Sequence, residues 1–176
     1  MKTFSVIVLL AFIFGALIAT TSQAHDKGKQ ESHATSAVKV GSTKDVAVIN
    51  PGEFQWKKMD ALPLRPEPGA FGVTVLGDPN KNGDYAKFVR WPAKFTVPSH
   101  WHTNDVHVVM IKGSMVIKRQ GKADVAINEG GFFYLPAKLK YVATCDNECS
   151  FLVWGSKAFD IFYANPSDDP RKQAKK

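Results

Sequence analysis

The stretch SHWHTNDVHVVMIKG, Ser99 to Gly113, carries three of the five histidines in the chain. His100 and His102 are two residues apart, so on a strand they project from one face and Trp101 from the other. His107 follows within VHVVMIKG, where Val106, Val108 and Met110 share a face and His107 takes the opposite one. Paired imidazoles suit divalent metals. A histidine pair is also an ordinary feature of a strand, so the residues around it decide its meaning.

Outward from this stretch, short runs rich in Val, Phe, Tyr, Ile and Thr alternate with turn residues. They include VAVIN, FGVTVLG, YAKFVRWP, KFTVP, SMVIKRQ, GFFYLP, LKYVATC, SFLVWG and FDIFYANP. GDPNKNGD and INEGG supply turn chemistry between them. No long amphipathic helix is legible, and no solenoid repeat. Evenly spaced short strands without helices predict an all-β sandwich or barrel.

The spacings around the histidines resemble those of the cupin superfamily, the RmlC-like jelly rolls. Its first motif runs Gly, five residues, His-x-His, three or four residues, Glu, six residues, Gly. Here Lys94 takes the first Gly position, His100 and His102 follow, Val106 takes the Glu position, and Gly113 closes the frame. The second motif runs Gly, five residues, Pro-x-Gly, two residues, His, three residues, Asn. Gly130 and Pro136 match it, with Lys138, Tyr141 and Cys145 in the Gly, His and Asn positions. The longer context, including VLGDPNKNGDYAKFVRWPAKFTVPSHWHTND and FYANPSDDPRK, is similar to small single-domain bacterial cupins. The resemblance spans roughly Phe71 to Lys172. It implies a single-domain double-stranded β-helix, a jelly-roll barrel, over residues 46–168, with a basic C-terminal tail at 169–176.

The resemblance also implies a metal site inside the barrel, but the ligand positions are degenerate. Val106 cannot ligate, and the phenol of Tyr141 ligates only once deprotonated. Three readings stay open. A metal-free barrel would hold a small-molecule ligand in a pocket formed by Met110, Phe133 and Tyr141, with Trp91, Trp101 and Trp154 as further apolar candidates. A dioxygenase or isomerase would hold one divalent metal (Fe, Mn, Ni, Cu or Zn) on His100 and His102, with His107 or Tyr141 as third ligand. His107 reaches the interior only if a bulge follows the TND turn. An isomerase without metal would use His100 and Tyr141 as catalytic base and acid. The first reading ranks ahead because the Glu position is empty of any donor. Lys94 and Lys138 stand where turns call for positive φ, so those turns are expected either to have relaxed or to have changed shape.

The first residues read as an export signal. Lys2 precedes the apolar run FSVIVLLAFIFGALIA, and Ser22 and Ala24 form a small-x-small site. This predicts a secretory signal peptide at 1–24, cleaved after Ala24, and a periplasmic or secreted protein. No other run is long enough to span a bilayer. Residues 25–45 are polar and lack aromatics, as expected of a disordered leader. In an oxidising compartment, Cys145 and Cys149 of TCDNECSF read as a disulfide. The chain has a formal charge of +7. Much of it lies in Lys27, Lys29, Lys39, Lys44, Arg171, Lys172, Lys175 and Lys176 at the two ends, so a nucleic-acid partner is not expected. Trp101 is expected to face out of the barrel, and the resemblance to cupins, which often pair sheets, implies a homodimer surface there.

Overall fold

The structure is a computed structural model that describes residues 46–63 and 65–173. The expected signal peptide with its cleavage site at Ala24, and the leader 25–45, lie outside the described residues. Eleven strands follow in chain order among the described residues: β1 (Lys57–Lys58), β2 (Phe71–Leu76), β3 (Tyr85–Trp91), β4 (Phe95–Trp101), β5 (Val106–Lys112), β6 (Met115–Lys118), β7 (Val125–Ile127), β8 (Phe132–Leu135), β9 (Tyr141–Cys145), β10 (Cys149–Gly155) and β11 (Phe162–Tyr163). One sheet runs β1-β2-β3-β10-β5-β8, the other β11-β4-β9-β6-β7, and every pairing is antiparallel. This is the two-sheet jelly roll that the motif frames imply.

Alternation fixes which face is buried. Val106, Val108 and Met110 on β5, Tyr141, Ala143 and Cys145 on β9, and Cys149, Phe151 and Val153 on β10 all point into one core. Their neighbours in sequence point to the outer faces. Gly113, at the tight turn between β5 and β6, has φ 77°, and a Cβ there would lie 2.6 Å from the Glu148 carbonyl oxygen. The last glycine of the first frame is thus a steric requirement.

Register gives the barrel two distinct ends. On β4 and β9, Phe95 pairs with Cys145 at one end and His100 with Tyr141 at the other. On β3 and β10, Trp91 pairs with Cys149 at the first end and Tyr85 with Gly155 at the second. The expected Cys145–Cys149 disulfide is present. It joins the end of β9 to the start of β10, and so ties one sheet to the other.

Two expectations at the margins change. VAVIN is not a strand: Val46 and Val48 are exposed, and Pro51 opens a short 3-10 turn instead. Pro cannot donate to a ladder, and residues 46–50 ahead of it are irregular. The basic tail also does not begin at 169. Asp169 and Pro170 are buried, and the Arg171 guanidinium is held by both Asp169 carboxylate oxygens and by the Ile161 carbonyl. That bidentate pair anchors a short helix, Pro170–Gln173, to the barrel.

Candidate functional site

The histidines face inward because β4 breaks its own alternation. Phe95 and Val97 are buried, so regular pleating would turn Ser99 and Trp101 inward. The β4–β9 register shifts between Val97 and His100. Pro98, which lacks an N–H, sits in this irregularity. Past it the faces exchange: His100 and His102 are 3% and 6% exposed, and Trp101 turns outward to stack on Phe162 with ring centroids 4.6 Å apart.

The hydrogen bonds assign the tautomers. His100 Nδ1 lies 2.8 Å from the Pro98 carbonyl. A carbonyl only accepts, so Nδ1 carries the proton and Nε2 is a bare acceptor. His102 Nδ1 donates in the same way to the Asp160 carbonyl. Its Nε2 must then accept, and it does so from the Tyr141 hydroxyl at 2.8 Å. The Asp160 carboxylate is itself held by the Thr103 backbone N–H at 2.8 Å and by the Thr103 hydroxyl. A chain of hydrogen bonds therefore runs from Tyr141 through His102 to the backbone at Asp160.

Burial sets the charge states. Desolvation, and then proximity to His102, push the His100 pKa down to about 3, against the opposing bond to Pro98. Burial also lowers the pKa of His102, opposed by the Asp160 carbonyl and carboxylate. Tyr141 is fully enclosed, and desolvation raises its phenol far above the ordinary range. At neutral pH all three side chains are uncharged.

They line a cavity of about 60 Å3 between the sheets. Its remaining walls are apolar, among them Val106, Val108, Met115, Phe133, Phe151 and Phe159. Phe133 and Tyr141 line this cavity and Met110 does not. Met110 pairs with Phe151 on β10, at the level where Trp91 packs on Phe95 and Phe151 (centroids 4.9 and 5.1 Å apart) and fills the barrel. Trp91 contributes wall. Trp101 and Trp154 lie on outer faces and do not.

His107 is not in the site. Val106 keeps the inward register, β5 pairs with β8 without a shift, and the His107 ring packs on the outer face against Trp154, Tyr134 and Phe132. The irregularity that turns histidines inward lies in β4 instead. Lys94 and Lys138 have φ of 61° and 62°, so both turns keep the left-handed geometry that glycine normally provides. The Lys138 N–H donates to the His102 carbonyl at 2.7 Å, which ties its turn to the histidine strand.

A divalent metal, which the fold family implies, does not fit this donor set. Val106 offers nothing, and the His102 nitrogen that would ligate already accepts the Tyr141 proton. Among the described residues, no group of three or more His, Cys, Asp or Glu side chains is placed to hold a metal ion.

No curated protein matches the sequence. Solved structures do match the fold. The chain is similar to the polyketide cyclase RemF from Streptomyces resistomycificus, with TM-score 0.56 and 15% identity over 75% of this chain and 94% of that one. It is similar to an RmlC-like cupin protein from Ralstonia eutropha JMP134, with TM-score 0.53 and 18% identity over 71% and 76%. It is also similar to the DMSP lyase DddQ from Ruegeria pomeroyi DSS-3, with TM-score 0.54 and 16% identity over 65% and 63%. At these identities the likeness establishes the cupin fold and carries no activity across. One family model covers most of the chain, residues 47–176, and by that match the protein belongs to the family described as domain of unknown function DUF4437.

Proposed function

We propose that the barrel is a metal-independent pocket for a small, largely apolar organic molecule, in a protein exported by a signal peptide at 1–24 that is cleaved after Ala24. The observation that carries this reading is the Tyr141 hydroxyl on His102 Nε2 at 2.8 Å, inside a cavity with apolar walls. That bond caps one imidazole and leaves His100 Nε2 as a single bare acceptor. A mostly apolar enclosure with few convergent polar groups is what recognises a small organic ligand. The Cys145–Cys149 disulfide accords with an oxidising compartment.

The hydrogen-bond chain from Tyr141 to Asp160 favours, as a second reading, an isomerase that moves protons without metal. It ranks lower on chemistry. With its pKa down at about 3, His100 is a weak base at neutral pH, and the Tyr141 phenol holds its proton tightly.

The test is metal uptake. Protein comprising residues 25–176 is incubated with Fe, Mn, Ni, Cu or Zn, desalted, and analysed by inductively coupled plasma mass spectrometry. Wild type is expected to retain far less than one equivalent. The double variant Val106→Glu, Tyr141→His restores a carboxylate and an imidazole at those positions, and is expected to retain about one. Stoichiometric metal in wild type, lost in His100→Ala, overturns the reading.

A further inference from the structure

The inner face of β3 carries a charge that the site described so far does not use. Val89 and Trp91 line the cavity, and the next inward position toward the histidine end is Lys87. It pairs across the sheet with Val153, another cavity wall residue. Lys87 is half-buried, and its amine has no hydrogen bond or ion pair among the described residues. Desolvation alone lowers its pKa, with no carboxylate opposing it. Its position is built rather than incidental. On the neighbouring strand Thr74 pairs with Lys87, and at the diagonal position, Gly72, a Cβ would collide with Lys87 Cε and lie 3.2 Å from Nζ. The absent side chain is the space that the lysine occupies.

Lys87 also lines a groove beside the inner cavity. A groove of about 500 Å3 runs along this side of the barrel and shares Met59, Phe159 and Ile161 with the inner cavity. The charged groups lining it are Lys57, Lys58, Asp60, Lys87, Asp160 and Arg171. Several are already engaged: Arg171 with Asp169, Asp160 with Thr103, and Lys58 with Glu67. Of these groups, Lys87 alone combines burial, a missing partner and a place on the inner face of the barrel.

We infer that Lys87 is the anion-binding residue of the pocket, and that the ligand is a small carboxylic acid whose apolar part enters the cavity while its carboxylate meets Lys87 at the mouth. The inference rests on the reading of the barrel as a small-molecule pocket. A half-desolvated ammonium without a partner is unfavourable in the empty protein, and a carboxylate there supplies a charge-assisted hydrogen bond. One such cation matches one negative charge, and an apolar cavity selects the rest of the molecule.

The probes are straight-chain acids from butyrate to decanoate, with benzoate, each paired with its neutral amide. Isothermal titration calorimetry on wild type is expected to show at least one acid binding about tenfold or more tighter than its amide. In Lys87→Met, which keeps the apolar stem, that ratio falls toward one. In Gly72→Ala the new methyl meets the flexible end of Lys87 and displaces the amine, so the ratio falls without loss of the barrel. Lys87→Arg retains the preference for acids. Acids and amides that bind wild type equally well overturn the role of Lys87 and leave the pocket reading standing. If no acid or amide of either series binds, both readings fall.

Discussion

The two ends of the barrel are buried to the same degree by opposite chemistry. At the cystine end, Phe95, Met110, Cys145 and Cys149 are almost wholly enclosed and apolar, and the Trp91, Phe95 and Phe151 rings pack against one another to fill the interior. At the histidine end, His100, His102 and Tyr141 are 3%, 6% and 5% exposed, yet each carries a polar atom that must be satisfied. Close-packed apolar contact stabilises in proportion to the surface removed from water. Buried imidazoles and phenols lose most of that gain to desolvation, and their internal hydrogen bonds return only part of it. The cystine end therefore holds the sheets together, and the histidine end holds a cavity open.

The largest effect that sharpens this contrast belongs to Phe95. Its ring is fully buried in the aromatic cluster, so Phe95→Ala is expected to cost about 3–5 kcal/mol, read from urea denaturation. Tyr141→Phe keeps the shape and removes one hydroxyl, leaving His102 Nε2 without its donor. It is expected to cost about 1–2 kcal/mol. Equal costs at the two positions would break the contrast.

The fold is legible because it is written in spacing. Two motif frames and a period of two along each strand survive even where the ligand residues have changed. The inward face of β5 follows from the Val106-to-Gly113 count, and the structure keeps it. The site is legible only in part. Both histidines do face the core, but through a bulge at Pro98–Ser99 rather than an unbroken strand. The Tyr141–His102 bond joins residues 39 apart in sequence, and the acceptor at Asp160 is a backbone carbonyl, which no side-chain pattern encodes. Alternation gives the face of Met110 but not its depth along the barrel, which depends on how the rings at the cystine end fill the interior. Lys87 does leave a signal, the inward alternation of Tyr85, Lys87, Val89 and Trp91 in YAKFVRW, but a lysine among apolar neighbours reads as easily as a solvated edge.

Acid sharpens the contrast by attacking only one end. A histidine whose folded pKa lies below its unfolded value binds fewer protons in the folded state than in the unfolded one. Its contribution to stability is complete above the unfolded pKa and is lost as pH falls toward the folded one. For His100 that window runs from 6.5 down to about 3. At about 1.4 kcal/mol per pH unit, lowering the pH to about 4 is expected to remove about 3 kcal/mol through this residue alone. His102 acts in the same direction. Urea midpoints measured from about pH 7 to about pH 4 read the slope, and His100→Gln is expected to flatten it relative to wild type. A slope unchanged by that substitution would assign acid lability to carboxylates such as Asp169, whose pKa is lowered by the Arg171 pair.

The smallest effects concern the two lysines with positive φ. A left-handed conformation costs a non-glycine residue roughly 1–2 kcal/mol, and glycine returns part of any relief as greater freedom in the unfolded chain. Lys138→Gly is therefore expected to raise stability by about 0.5–1 kcal/mol. Lys94→Gly is expected to gain less, because Lys94 Nζ lies 3.6 Å from Asp146 in an exposed ion pair that the substitution removes. Both are read as shifts in urea midpoint. Lys138 tests more than strain, since its N–H holds the His102 carbonyl at 2.7 Å. If Lys138→Gly gains stability and binds the paired acids as wild type does, the lysine is strain that the barrel tolerates. If it gains stability and loses binding, the strained turn is what sets His102 against Tyr141, and stability at the histidine end has been traded for the geometry of the cavity.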